Sequence, residues 1–367
     1  MTAVRASEIA ARREATVSVV LPVFNRAEGL RRLLRALARQ HFPMDRLEVV
    51  ICDDGSTEDI ASVVAGFRQE APLRTLYLRQ ANAGPGAARN MGMAVAAGEF
   101  LAFTDSDCAP EPDWLARLLA AFDDPAVGIA GGAVTYRSCE FLSGRCTNYL
   151  MSSALGAAGA RDPRSAIAMR YYPRTCNMAV RRALAEAAGG FPQARHGEDL
   201  EFSHRVVDLG VRARFVADAV VVHHERRSPL QVAAEAFRKG AARVRLARRH
   251  GLLELVHLVP ALFCLYLAAL LLAALIHLQA AAWAAIPLAV YGLMLAALGL
   301  HGAASVRSAR AAPVIPLFAL LMHLGYGLGY LRAWISAAAP QPPPPAEKTA
   351  AAPLGPERPH WAKRLFW

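Results

Sequence analysis

Three long uncharged apolar runs in the last third of this 367-residue chain restrict its possible folds more than any other feature. Residues 255–276 and 280–300 carry no formal charge, and 313–335 contains only Arg332, near its end, where it can snorkel to an interface. At 1.5 Å of rise per residue each run can cross a hydrocarbon core of ~30 Å. Three such runs in succession are rare in water-soluble domains, so they read as three membrane spans. The composition agrees, with 54% apolar and 19% charged residues against the ~45–50% and ~25% of an average soluble protein.

The formal charge of +11 allows nucleic acid, a membrane surface or an acidic partner. Its distribution decides between them. Residues 1–225 hold 26 basic and 26 acidic side chains, whereas 226–250 hold eight basic residues against Glu235 alone. This run ends where the first apolar run begins, which points to the membrane and excludes nucleic acid as a partner. At about 1 kcal/mol per basic residue near an anionic leaflet, it can press the adjoining domain onto the bilayer.

The positive-inside rule predicts the orientation. Arg307 and Arg310, between the second and third runs, and the 226–250 stretch share one side, the cytoplasm, and the large amino-terminal domain shares it with them. No signal-peptide pattern is expected, because Arg5, Arg12 and Arg13 precede only one short apolar strand. Three spans put the tail on the opposite side, in tension with its Lys348, Arg358, Lys363 and Arg364. The predicted organisation is an extension 1–15, a large amino-terminal domain 16–225, a basic juxtamembrane segment 226–250, membrane helices within 251–336 and a proline-rich tail 337–367.

The first 130 residues alternate β-branched runs with helical patterns. Strands are expected at Val17–Val23, Leu47–Cys52, Leu73–Leu78 and Phe100–Thr104, and helices at Glu28–Gln40, Glu58–Gln69 and Pro85–Ala97. This order predicts an α/β domain with a mostly parallel sheet, which binds ligands at the carboxyl ends of its strands. Acidic residues cluster at those ends: Asp53-Asp54-Gly55-Ser56 after the second strand and Asp105-Ser106-Asp107 after the fourth. A lone Asp-Gly-Ser is as readily a turn or helix cap. Two carboxylates one residue apart at a strand end supply the hard oxygen ligands that Mg2+ or Mn2+ takes alongside phosphates.

Between these clusters, Asn82–Asn90 (N-A-G-P-G-A-A-R-N) opens a helix with glycines that let a backbone approach a ligand, and Arg89 can reach a diphosphate. It lacks the G-K-[ST] of a phosphate-loop ATPase and the G-x-G-x-x-G of a nicotinamide enzyme. The six cysteines contain no C-x-x-C pair and read as small core residues.

Five segments in order, V-S-V-V-L-P-V-F-N-R, V-V-I-C-D-D-G-S-T-E-D, N-A-G-P-G-A-A-R-N-M-G, F-L-A-F-T-D-S-D-C and G-E-D-L-E-F-S-H-R, resemble the signatures of the family 2 glycosyltransferases with a GT-A, Rossmann-like fold. The resemblance covers about residues 16–225. The basic segment and apolar runs behind it resemble membrane-bound bacterial members that build exopolysaccharide or glycolipid glycans.

The resemblance implies a role for each matching residue. Pro22, Val23, Asn25, Asp53 and Asp54 fall where the nucleobase and ribose bind, with Asp54 as partner of the base, and Arg89 falls near the diphosphate. Asp107 falls where a divalent ion is bound directly and Asp105 where the first carboxylate turns to the ribose. Glu198 and Asp199 match the acceptor-side acidic pair whose aspartate is the general base, though an acidic first helical turn also explains them. His223, at the end of the apolar strand Ala219–Val222, matches a histidine that completes the ion site in several relatives. Arg170, Tyr171, Tyr172 and Asn177 line the sugar pocket or belong to a core strand.

The implied function is inverting, Mn2+- or Mg2+-dependent transfer of a sugar from a nucleotide-diphosphate sugar to a lipid-linked glycan acceptor, at the cytoplasmic face of a bacterial inner membrane. The Q-x-x-R-W motif of processive synthases has no counterpart, which favours one sugar per acceptor. The alternative is a membrane-anchored nucleotide-sugar-binding scaffold without turnover.

Overall fold

The structure is a computed structural model that describes residues 16–135, 139, 141–153, 171–194, 196–224, 227–251 and 255–336. The extension 1–15, the tail 337–367 and Arg170 lie outside the described residues.

The β-branched runs form β1 (Val17–Val23), β2 (Leu47–Asp53), β3 (Arg74–Arg79) and β4 (Phe100–Phe103). They lie side by side in the order β3-β2-β1-β4, all parallel. The helices between them are α1 (Ala27–Leu37), α2 (Ile60–Glu70) and α3 (Pro85–Met93). Leu30, Leu33, Leu34 and Leu37 of α1 pack with Val17, Val19 and Leu21 of β1, while Val20 faces the other way into a core with Ala88 of α3. Covering both faces explains why these strands are continuously apolar rather than alternating. Register then sets the site, because Val23 pairs with Asp53 and Asp53 with Arg79, so the strand ends finish level on one edge.

The sheet continues with β5 (Cys108–Pro110), β6 (Val127–Thr135), β7 (Met178–Arg181) and β8 (Arg212–His223), giving the order 3-2-1-4-7-6-8-5. β7 runs antiparallel between β4 and β6, β6 is parallel to β8, and β5 is antiparallel to β8. Four short helices join these strands: α4 (Trp114–Leu119), α5 (Leu142–Ser152), α6 (Arg182–Ala187) and α7 (Glu198–Asp208). Asn177 is buried here as a tie, donating to the carbonyls of Ala133 and Ala219 and accepting from Trp114 Nε1 at 2.8 Å.

The basic segment is one helix, α8 (Pro229–His250), opened by a Ser228/Gln231 capping box and closed by Gly251 in the left-handed region. Behind it come α9 (Val259–Ile276), α10 (Leu278–Ala284), α11 (Ile286–Val306) and α12 (Ala311–Ile335). These make three segments long and apolar enough to cross a membrane, Leu255–Ile276, Leu278–Val306 and Ala311–Ile335. The second is broken at Ala285, where Pro287 opens α11.

α9 and α11 leave Leu265, Leu271, Leu272, Leu275, Ile276, Ile286 and Leu293 exposed, as lipid-facing helices do. α12 is different. Gly325 and Gly329 let its backbone approach the Ala233 and Phe237 carbonyls of α8, and Gly240 of α8 faces the Tyr326 carbonyl of α12. At the far end Arg248 of α8 donates to the Trp334 carbonyl at 2.9 Å and lies over the Trp334 ring. One turn earlier, Arg245 donates to His196 of the α/β layer at 3.1 Å. The end of α11 also meets that layer, through Arg145 of α5 donating to the Val306 carbonyl. These contacts lay α12 alongside α8.

Candidate active site

The site is built where the strand ends meet α3, α7 and β8. Asn25, at the end of β1, has φ +50, and its Oδ1 accepts from the Thr57 and Glu58 amides at 2.7 and 3.3 Å. This ties β1 to the Asp53–Glu58 loop. Pro22 and Val23 lie in the same strand end, paired with Cys52 and Asp53. Asp53 is fully buried, accepting from the Ser56 amide at 2.8 Å and the Tyr77 hydroxyl at 2.7 Å. Desolvation and this carboxylate push the Tyr77 hydroxyl up to about 12, so it stays a donor. Asp54 accepts from Gln80 Nε2 at 2.7 Å and from the Ala83 and Gly84 amides at 2.8 and 2.9 Å. Both carboxylates therefore shape loops, and Asp54 moulds the turn that opens α3.

Arg89, on α3, is 3% exposed and joins the two halves of the site. Its Nη2 donates to Asp105 at 2.6 Å, its Nη1 reaches Glu198 at 3.5 Å, and its guanidinium lies 5.5 Å from the Phe191 ring centroid. The charge that the sequence assigned to a diphosphate is thus held between two carboxylates.

Antiparallel pairing of β5 with β8 sets Cys108 opposite His223 and carries Asp107 with it. Asp107 Oδ1 is 3.3 Å from His223 Nε2, and its Oδ2 is 3.1 Å from Arg26 Nη1. Burial opposes the charge on Asp107, but His223 and Arg26 outweigh it and hold the carboxyl below its usual range. Among the described residues, Asp107, Cys108 and His223 are the side chains whose ligand atoms, within 4.8 Å of one another, can hold a metal ion. Burial and the Asp107 charge push the Cys108 thiol well up, so it remains a neutral neighbour. One carboxylate and one imidazole are ligand types that suit Mn2+ or Mg2+ when phosphate and water oxygens complete the shell. Asp105, engaged by Arg89, lies outside that group.

Glu198 and Asp199 open α7 after Gly197, whose left-handed φ of +81 turns the chain into the helix. Asp199 Oδ1 accepts from the Leu200 amide at 2.7 Å and Oδ2 from Arg174 at 3.3 Å. Burial raises both carboxyls. Arg174 outweighs burial at Asp199 and holds it low, whereas Glu198, also repelled by Asp199 and sharing Arg89 with Asp105, is pushed up to about 7. The acidic pair therefore offers one ionised carboxylate and one that titrates near neutrality.

Arg26 and Arg174 were not singled out from sequence. Arg26 directly follows the P-V-F-N segment, which was a signal; Arg174 lies beyond a long connection, where no pattern marked it. Tyr171 packs edge-on to Phe215, and the Tyr172 ring lies 5.6 Å from the His204 ring.

Comparison with known proteins agrees with this architecture. The structure resembles that of the mannosyltransferase PcManGT from Pyrobaculum calidifontis in complex with GDP-Man and Mn2+, with a TM-score of 0.59 at 22% identity, covering 88% of each chain. That level of likeness shows a shared fold. In sequence the chain is 29% identical over 213 residues to glycosyltransferase AglE of Haloferax volcanii, covering 57% of this chain and 67% of that protein. It is 34% identical over 239 residues to the pre-mycofactocin glycosyltransferase of Mycobacterium tuberculosis, covering 64% of this chain but 48% of that protein, so it spans about half the length of that relative. Residues 18–186 match the family described as Glycosyl transferase family 2, so the chain carries a Glycosyl transferase family 2 domain over those residues.

Proposed function

We propose that this protein transfers a single sugar from a nucleotide-diphosphate sugar, with inversion at the anomeric carbon, to a lipid-linked saccharide at a membrane surface. The observation that carries the reading is the division of labour among the acidic residues. Asp107 and His223 form a site suited to a divalent ion, and Glu198-Asp199 form a separate pair that Arg89 links back to Asp105.

Each part meets a demand of the chemistry. Cleavage at the anomeric carbon passes through an oxocarbenium-like state and leaves charge on the departing diphosphate. Asp107 and His223 would hold an Mn2+ or Mg2+ ion, which would supply Lewis-acid stabilisation of that charge. The attacking hydroxyl needs a base, and Asp199, kept ionised by Arg174 and aimed by the Leu200 amide, supports that role. A single base acting from the side opposite the leaving group would invert the anomeric carbon.

The acceptor reading rests on α8. His196, just before the acidic pair, is bound by Arg245, and Glu201 of α7 lies 3.7 Å from Arg249 and 3.3 Å from His250. The acidic pair thus lies beside the basic end of α8, which α12 and its Trp334 flank. A lipid carrying a phosphate and a saccharide suits that junction, with its charge near the arginines and its sugar near Asp199. The same contacts support a cytoplasmic orientation in which α9 and α11 form an apolar hairpin with both ends on the catalytic side.

The test is Asp199→Asn in purified protein given Mn2+ and a panel of nucleotide-sugars. Transfer should fall by ~10²-fold or more while nucleotide binding persists. Unchanged turnover removes Asp199 from the base role.

A further inference from the structure

We propose that Arg26 is a cationic placeholder for the divalent ion: it occupies Asp107 when no ion is bound and yields that oxygen to the ion, turning its guanidinium to the diphosphate the ion brings. The inference rests on the ion site proposed above and adds a residue to it.

Three observations lead to it. Arg26 Nη1 lies 3.1 Å from Asp107 Oδ2, the oxygen turned away from His223, which sits 3.3 Å from Oδ1. A cation bound by Asp107 through Oδ2 therefore meets a guanidinium already there, and two cations on one carboxylate oxygen repel. The Arg26 side chain is half exposed, at 50%, whereas Arg89 is 3% exposed and committed to two carboxylates. Of the two, Arg26 has the freedom to move.

The third observation is how Arg26 reaches this place. It is the residue before α1, following Asn25 with its positive φ. One turn on, Gly29 lies so close to the Ser106 carbonyl that any Cβ would collide with it. The glycine lets the start of α1 dock directly on the Asp105–Asp107 turn, which sets Arg26 over Asp107. An arginine that leaves Asp107 from there stays within its own reach of whatever the ion carries, and its planar fork suits phosphate oxygens.

The idea predicts effects of opposite sign on metal and on diphosphate. In full-length protein in detergent, Mn2+ binding is followed by electron paramagnetic resonance with Mn2+ alone and again with inorganic pyrophosphate. Arg26→Ala should bind Mn2+ alone about two- to fivefold more tightly than the native protein, the scale of a half-exposed ion pair. Pyrophosphate should tighten Mn2+ binding in the native protein and do so less in Arg26→Ala, since coupling between two ligands is reciprocal. Arg26→Lys, which keeps the charge, should return both values toward native.

Unchanged or weaker Mn2+ binding in Arg26→Ala would overturn the placeholder role, as would undiminished coupling to pyrophosphate. Asp107→Asn separates the two levels. If it abolishes Mn2+ binding while Arg26→Ala leaves binding unchanged, the ion site stands and only Arg26 is wrong; if Asp107→Asn changes nothing, the ion site fails and the placeholder with it.

Discussion

Glu198 and Asp199 are neighbours that share a buried setting yet ionise differently, because each faces a different arginine. Asp199 has Arg174 to itself, whereas Glu198 shares Arg89 with Asp105. The consequence is a pH-dependent stability with a definite sign. The folded carboxyl of Glu198 titrates at about 7 against 4.5 when unperturbed, so the folded state binds its proton more tightly than the unfolded chain does. That contribution is complete below about pH 4.5 and is lost as pH rises to about 7. Glu198→Gln should therefore gain stability over the native protein at pH 8 and match it near pH 4.5, read by thermal unfolding; a variant less stable than native at pH 8 contradicts the assignment. Asp199 runs the other way, its contribution being kept at neutral pH and lost only in acid. At this scale the acidic residues were legible, because carboxylates at strand ends carry a pattern. Their partners were less so: Arg174 meets Asp199 only through tertiary folding, and Arg89 reads in sequence as a free cation although the fold buries it.

Among the elements, the parallel strands were legible because β1, β2 and β4 are short apolar runs with no competing period. β5 is three residues, Cys-Ala-Pro, too short to show any pattern. β8 begins with Arg212 and Arg214 and includes Asp218, so only its apolar end at 219–222 read as a strand. Its full length matters, since the pairing of Cys108 with His223 brings His223 to Asp107, the two residues proposed to hold the ion. The helix pair α8 and α12 shows the same limit. Its basic and apolar compositions were plain, but their contact depends on Gly325 and Gly329, whose meaning appears only when the carbonyls of Ala233 and Phe237 lie against them. Gly329→Leu should push α12 off α8 and destabilise the detergent-solubilised protein by ~1–3 kcal/mol, as overpacking does. A melting temperature equal to native would show that the two helices do not depend on this contact.

For the whole molecule, the excess charge and the apolar helices belong to one arrangement. The basic helix lies between the α/β layer and α12, and exposed apolar surface runs over α9, α10 and α11 and over Leu317, Leu328 and Ile335 of α12. The proposed hairpin of α9 and α11 would place the end of α12, whose Trp334 rests on Arg248, on the catalytic side. A reporter fused after the tail should accordingly show the same sidedness as one fused at the amino terminus; opposite sidedness would restore three full crossings. The central claim is that Asp107 and Asp199 serve one transfer onto a lipid. Its most direct measurement incubates membranes containing the native protein with Mn2+ and radiolabelled nucleotide-sugars, then follows label into the organic-extractable fraction. The account predicts label in that fraction, in the anomeric configuration opposite to the donor's, and none above background with Asp107→Asn or Asp199→Asn. Lipid labelling that persists undiminished in both variants, or whose product retains the donor's configuration, would contradict it.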